Sequence, residues 1–291
     1  KVSFKFPTLQ TATLSNGAKI VLAQRSDVPL VEMNFQFNFG YAQENNNELG
    51  FTNFMMDMLN EGTRKYSSLE FDQILDSLGS NIGFGSGLDS SFVSISSLKD
   101  NLDETLDLAK EAVMYPTFPL DEIERIKKQT LAAFKREEFR PASIAFRNIG
   151  NLLYGQDHPY GKLLIGSGVS ETITSLTQSD LSSIHKRTLN PKNLTFVVAG
   201  DISLDEITQT LEKKFGSWNA DMSSPLKDLS NVELPDTRIV YLIDKPNAQQ
   251  SYIVAGQLLP PTATAEEIEL NYMNYAIGGS FTSRLNMNLR E

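Results

Sequence analysis

The stretch Gly50-Phe-Thr-Asn-Phe-Met-Met-Asp-Met-Leu-Asn-Glu-Gly-Thr63 decides how the rest of the chain is read. Phe51, Phe54, Met55, Met58 and Leu59 recur at the spacing of one helix face, which predicts a helix over residues 49–60 with that stripe turned to the core. Thr52, Asn53, Met56, Asp57 and Asn60 fall on the opposite side. Asn53 and Asp57 stand one turn apart and face the same way, a spacing that lets two imidazoles hold one metal ion. Here the pair is an amide and a carboxylate, a poor donor set for zinc. The Met56 thioether beside them takes no proton near neutral pH, so it cannot act as a general base. An ordinary core-facing helix accounts for the stripe. A weak hard-cation site on the Asn53 and Asp57 oxygens is the alternative.

Working outward, residues 18–25 and 31–39 read as strands, the second alternating Val31, Met33, Phe35, Phe37 and Phe39 on one face. Ser67 to Glu70 has the pattern of a capping box, and Phe71, Ile74, Leu75 and Leu78 continue its helix to Gly79. Residues 81–88 and 91–98 predict a hairpin whose first strand alternates Gly83, Gly85 and Gly87. A phosphate-cradling loop would need a helix to open directly after those glycines, and a β-rich run follows instead. Helices are expected at 101–114, 120–138, 142–154, 178–189 and 204–215, with a strand at 193–199. Strands separated by hairpins and helix pairs predict an α+β fold with an antiparallel-rich sheet packed with helices.

Residues 219–236 carry Pro, Ser, Asn and Asp without periodicity and read as a linker. Beyond it the opening pattern restarts. Arg238-Ile-Val-Tyr241 echoes Lys19-Ile-Val-Leu22, Tyr252–Gly256 echoes the strand at 31–39, and a helix at 264–277 echoes that at 49–60. The expected organisation is a complete domain over 1–218, the linker, and the first part of a second copy over 237–291.

Composition narrows the function classes. The 291 residues carry a formal net charge of −10 without a basic stripe, which argues against a nucleic-acid partner. No window approaches the ~20 consecutive apolar residues of a membrane span. With no Cys and two His, the chain cannot form disulfides or assemble a zinc site from imidazole and thiolate. His158 precedes Pro159 and reads as a loop or packing residue, and His185, beside Lys186 and Arg187, as part of a solvated face.

Several of these segments together resemble the M16 metallopeptidases, the insulinase and pitrilysin family. The frame of Gly50 with Gly62-Thr63 is similar to the family's inverted zinc motif H-x-x-E-H, with Asn53, Met56 and Asp57 where His, Glu and His would stand. The stretch Leu131-Ala-Ala-Phe134, after Glu124 and Arg125, lacks the further Glu ligand that the resemblance implies. Phe6-Pro7, Leu14-Ser-Asn-Gly17 and Val28-Pro29 resemble the start of a C-terminal half in a two-half member. His158-Pro-Tyr-Gly161, Asn190-Pro-Lys-Asn193, Val197–Asp201, Gly278-Gly-Ser-Phe281 and Ser283-Arg-Leu285 through Glu291 match family segments in order.

The resemblance implies an M16-like metallohydrolase fold with a degenerate zinc site, so no catalytic residue and no metal in this chain. It implies a non-catalytic, substrate-chamber half of a zinc-dependent peptidase, with zinc held in an N-terminal catalytic half on the same polypeptide or a separate subunit. Peptides or small unfolded proteins would be the substrate, and Arg290 would contact them. Gly278 and Gly279 are expected as a helix end rather than a lid. The alternative is a degenerate scaffold or binding subunit. A bacterial periplasm is the home the resemblance favours.

Overall fold

A computed structural model of the chain describes residues 7–162, 164–219, 226–230, 232, 237–262 and 264–290, with the backbone alone for Arg290. Among the described residues, six strands form one sheet: β1 (Gln10–Thr13), β2 (Lys19–Gln24), β3 (Leu30–Phe37), β4 (Asn81–Ser86), β5 (Ser91–Leu98) and β6 (Leu194–Gly200). Their order is β1-β2-β6-β3-β5-β4, and every pairing is antiparallel except β2 with β6. The period-two alternation puts Val31, Met33, Phe35 and Phe37 of β3 on the same buried face as Phe196 and Val198 of β6 and Val93 and Ile95 of β5. Register places Phe35 opposite Phe196 and Val93. The Phe35 ring meets Phe196 edge-on at 4.7 Å and Phe215 at 5.3 Å, which sets the centre of the core.

The helices are α1 (Phe51–Asp57), α2 (Ser68–Ser77), α3 (Leu102–Met114), α4 (Leu120–Glu137), α5 (Pro141–Tyr154), α6 (Ser170–Ser175), α7 (Gln178–Thr188) and α8 (Leu204–Phe215). Ser67 and Glu70 make the expected reciprocal capping box at the start of α2. Helix α1 packs between β4 and α7, α3 lies on β5 and α8, and α8 on β1 and β2. The α+β architecture expected from the strand and helix pattern is the one observed. Two elements escaped the pattern. Strand β1 (QTAT) has no apolar alternation and, among the described residues, pairs with β2 alone, and α6 is less than two turns long.

The chain divides into two compact units after Val254. The first unit therefore includes residues beyond the expected linker: Tyr252 packs on Phe146 at 6.2 Å and the Lys245 ammonium lies over the Phe139 ring. The strands expected at 238–241 and 252–256 do not form; residues 238–261 lie in no strand and turn at 246–247, where Asn247 has φ of +63°. The physical reason is that a strand needs neighbours. Their counterparts β2 and β3 are each flanked on both sides, whereas an isolated pair of strands is marginal in water. The second unit has α9 (Glu267–Asn274), a π-type turn over Tyr275–Gly279, and α10 (Arg284–Arg290). Gly278 and Gly279 thus end a helix, as expected.

Candidate functional site: the degenerate motif helix

Gly50 opens α1 with φ of +91°, and a Cβ there would lie 2.6 Å from Gly168 Cα. Only glycine satisfies both the left-handed conformation and the close approach. At the far end, a Cβ on Gly62 would fall 2.6 Å from the Pro119 ring. Thr63 Oγ1 accepts the Tyr66 N–H at 3.0 Å and closes the following turn.

The structure separates the three motif positions. Met56 is fully buried in the core, as is Thr52, which corrects the expectation that both lie on the outward side. Because α1 is covered by β4 on one side and α7 on the other, its second face is also interior. Asn53 is half-buried beneath the loop after Lys162: a Cβ on Gly166 would stand 2.5 Å from Asn53 Nδ2. Asp57 keeps an exposed surface, but protein surrounds its carboxyl, which is raised to about 6, first by the loss of water there and then by the charge of Glu61. Leu131–Phe134 lies on α4, with the Arg147 guanidinium 4.7 Å over the Phe134 ring.

The start of α1 is held by a residue that the sequence reading missed. Glu44 is 2% exposed, and its carboxylate accepts the Gly50 N–H at 2.8 Å and the Thr52 N–H at 2.6 Å. Burial pushes this carboxyl up to about 7, against the pull of those two bonds. Its backbone carbonyl receives Lys162 Nζ at 2.6 Å and also Lys227 Nζ. Burial, and then the adjoining Lys227 charge, brings the Lys162 ammonium down to about 8. Tyr41, Glu44, Leu49, Gly50, Lys162 and Gly168 line the small cavity left here. The covering loop is pinned in turn: Arg147 donates to Gly168 O at 2.9 Å and Ser167 Oγ at 3.1 Å while pairing with Glu137, and Thr172 Oγ1 donates to Leu49 O at 2.6 Å. No local pattern marks Glu44, since it meets its partners across a turn.

The two histidines are packing residues. His158 stacks on Tyr154 at 5.1 Å and accepts the Tyr160 N–H through Nδ1, as the loop reading anticipates. His185 departs from its expected solvated face: its ring meets Phe118 and its Nε2 lies 2.8 Å from Val113 O, and burial holds it below the usual imidazole range. Arg290 ends α10, and its side chain lies outside the described residues.

The profile of the insulinase family, peptidase family M16, matches residues 19–166, and that of the peptidase M16 inactive domain matches residues 175–291. The chain belongs to the M16 peptidase family. Among its relatives, an uncharacterized zinc protease of Mycobacterium leprae is 22% identical over 96% of this chain and 62% of its own length. The non-peptidase homolog YmxG of Helicobacter pylori is 23% identical over 98% of this chain and 66% of its own. This M16 chain thus spans slightly less than two thirds of either relative. A crystal structure of a peptidase M16 inactive domain from Pseudomonas fluorescens superposes with a TM-score of 0.71 at 27% identity, over 78% of this chain and 53% of that one. The periplasmic protease PqqL of Escherichia coli shares the fold, with a TM-score of 0.70 at 19% identity over 78% of this chain and 25% of that one.

Zinc is the metal the family names imply, and α1 does not fit it. Three ligands of the right type must converge with an open position for water. Here the three positions supply a buried thioether, an amide under a loop and one carboxylate. Among the described residues, no three His, Cys, Asp or Glu side chains are grouped to hold a metal ion.

Proposed function

We propose that this chain is the non-catalytic, substrate-facing half of an M16 zinc peptidase whose metal and general base lie in a catalytic half, fused or separate. The observation that carries the reading is the state of α1: the family's helix is retained and fully packed, with Met56 in the core and Asn53 roofed by the Gly166 loop. A helix so enclosed contributes a wall, and peptide-bond hydrolysis is left to the partner half. Peptide would add as a strand to the open edge of β4, where main-chain hydrogen bonds give affinity without sequence preference. In the same reading Arg290 supplies a permanently charged guanidinium to a peptide carbonyl. The rival reading, a scaffold with no peptidase attached, draws support from the relative named a non-peptidase homolog.

The test is zinc content and cleavage of a quenched fluorescent peptide by the purified chain, with and without added zinc, beside peptide binding followed by fluorescence anisotropy. Peptide binding without stoichiometric zinc or cleavage is the expected result. Absence of binding to any unfolded peptide transfers support to the scaffold. Chelator-sensitive cleavage by this chain alone would overturn both.

A further inference from the structure

The His158-Pro-Tyr-Gly161 turn and the paired lysines around Glu44 play no part in the reading above, yet they converge on one short segment. Residues 226–230 have no regular secondary structure, and contacts with three side chains or carbonyls hold them to the rest of the first unit. The Lys227 N–H donates to Gln43 Oε1 at 2.7 Å, an acceptor that is itself buried. Lys227 Nζ donates to Glu44 O, where Lys162 Nζ already donates at 2.6 Å. Leu229 O lies 3.4 Å from His158 Nε2. The tautomer follows from the other nitrogen: Nδ1 accepts the Tyr160 N–H at 3.0 Å, so Nε2 carries the proton and donates to Leu229 O.

The clamp is rigid on its fixed side. His158 is held by its stack on Tyr154 and an edge contact with Tyr160 at 5.4 Å, and the Tyr160 hydroxyl donates to Asp89 at the tip of the β4–β5 hairpin. Gln43 belongs to the 3-10 turn Tyr41–Gln43, which leads directly into the Glu44 cap of α1. A segment without secondary structure of its own is thereby tied to the hairpin tip, through His158 and Tyr160, and to the motif helix, through Gln43 and Glu44.

We propose that residues 226–230 are a docking strap that the His158 turn and the Gln43–Glu44 turn clamp in place. The clamp gives the His-Pro-Tyr-Gly turn a positioning role for residues 226–230. On the Gln43–Glu44 side two ammonium groups share one carbonyl, so the charges of Lys162 and Lys227 repel each other there. The inference does not depend on peptide handling; a scaffold would use the same strap.

Hydrogen exchange read by mass spectrometry on the full 291-residue chain tests it. The variants are His158→Phe, which keeps the ring and removes both nitrogens, and Lys227→Met, which keeps the stem and removes the ammonium. The expected result is strap amides protected in the parent chain and exchanging about tenfold faster in either variant, with α8 unchanged. Strap amides that exchange at free-peptide rates in the parent chain overturn the proposal, as do unchanged rates in both variants. Should His158→Phe also loosen α8, Lys227→Met decides alone.

Discussion

Replacing Glu44 by glutamine is expected to abolish part of the pH dependence of stability, and the sign can be worked from the site. The carboxyl rises from an ordinary 4.5 to about 7 in the folded chain. Between those values the native state holds a proton that the unfolded state has released, so stability falls as pH rises through this window. One pKa unit corresponds to 1.36 kcal/mol, so the linkage amounts to about 2–3 kcal/mol lost between about pH 5 and pH 8. Glutamine keeps the shape and one acceptor for the Gly50 or Thr52 N–H but cannot ionise. Urea unfolding followed by circular dichroism at both pH values, for both proteins, isolates the term, because the other titrating groups cancel in the difference. Asp57, also raised, tilts both curves in the same direction. The variant should gain on the parent chain by that amount as pH rises. An equal pH dependence in the two proteins would refute the argument that burial dominates over the two backbone bonds at Glu44.

Met56→Glu, which restores the motif's acid, should cost about 3 kcal/mol or more, because it places an unpaired carboxyl in a fully buried position. A thermal melt checks this, and an unchanged melting temperature would show that the helix face is open. Gly50→Ala should cost about 2 kcal/mol or more, since it combines left-handed strain with collision against Gly168. Gly79→Ala, at φ of +57° with open space around it, should cost only about 1 kcal/mol by the same denaturation assay. Lys214 is 4% exposed and pairs with Asp107 at 2.6 Å and Asp103 at 3.1 Å. Lys214→Met should be neutral to within about 1 kcal/mol, whereas removing both aspartates should cost about 3 kcal/mol by leaving the ammonium unpaired.

Where local chemistry decides an element, the sequence identifies it. The alternation of Val31, Met33, Phe35 and Phe37 is the buried face of β3, and the Ser67–Glu70 box starts α2. What fails is whatever depends on distant packing. The apolar stripe predicts Met56 on the outward side because a periodic stripe reveals one buried face, and α1 has two. His185 carries charged neighbours in sequence but meets Phe118 and Val113 in space. Residues 238–241 and 252–256 have strand-forming side chains, yet a ladder needs partners that β2 finds in β1 and β6 and that these residues lack among the described ones. The candidate site was found through its frame, while Glu44, the residue that holds it, left no trace in spacing.

The geometry accounts for the frame independently of any chemistry at its centre. Gly50 is required by its left-handed backbone and by contact with Gly168, Gly62 by its approach to Pro119, and Thr63 by the hydrogen bond that closes the next turn. None of these contacts involves Asn53, Met56 or Asp57. Ligands and general base can therefore be exchanged for an amide, a thioether and a carboxylate while every constraint that positions the helix stays in force. On the proposed reading, in which catalysis lies in the other half, Met56 gains by burial what a glutamate there would lose by desolvation. The same helix can then be closed over by the Gly166 loop, which an open metal site would have to keep clear. Glycines at these positions are what packing alone requires, so the frame marks architecture, and activity has to be judged from positions 53, 56 and 57.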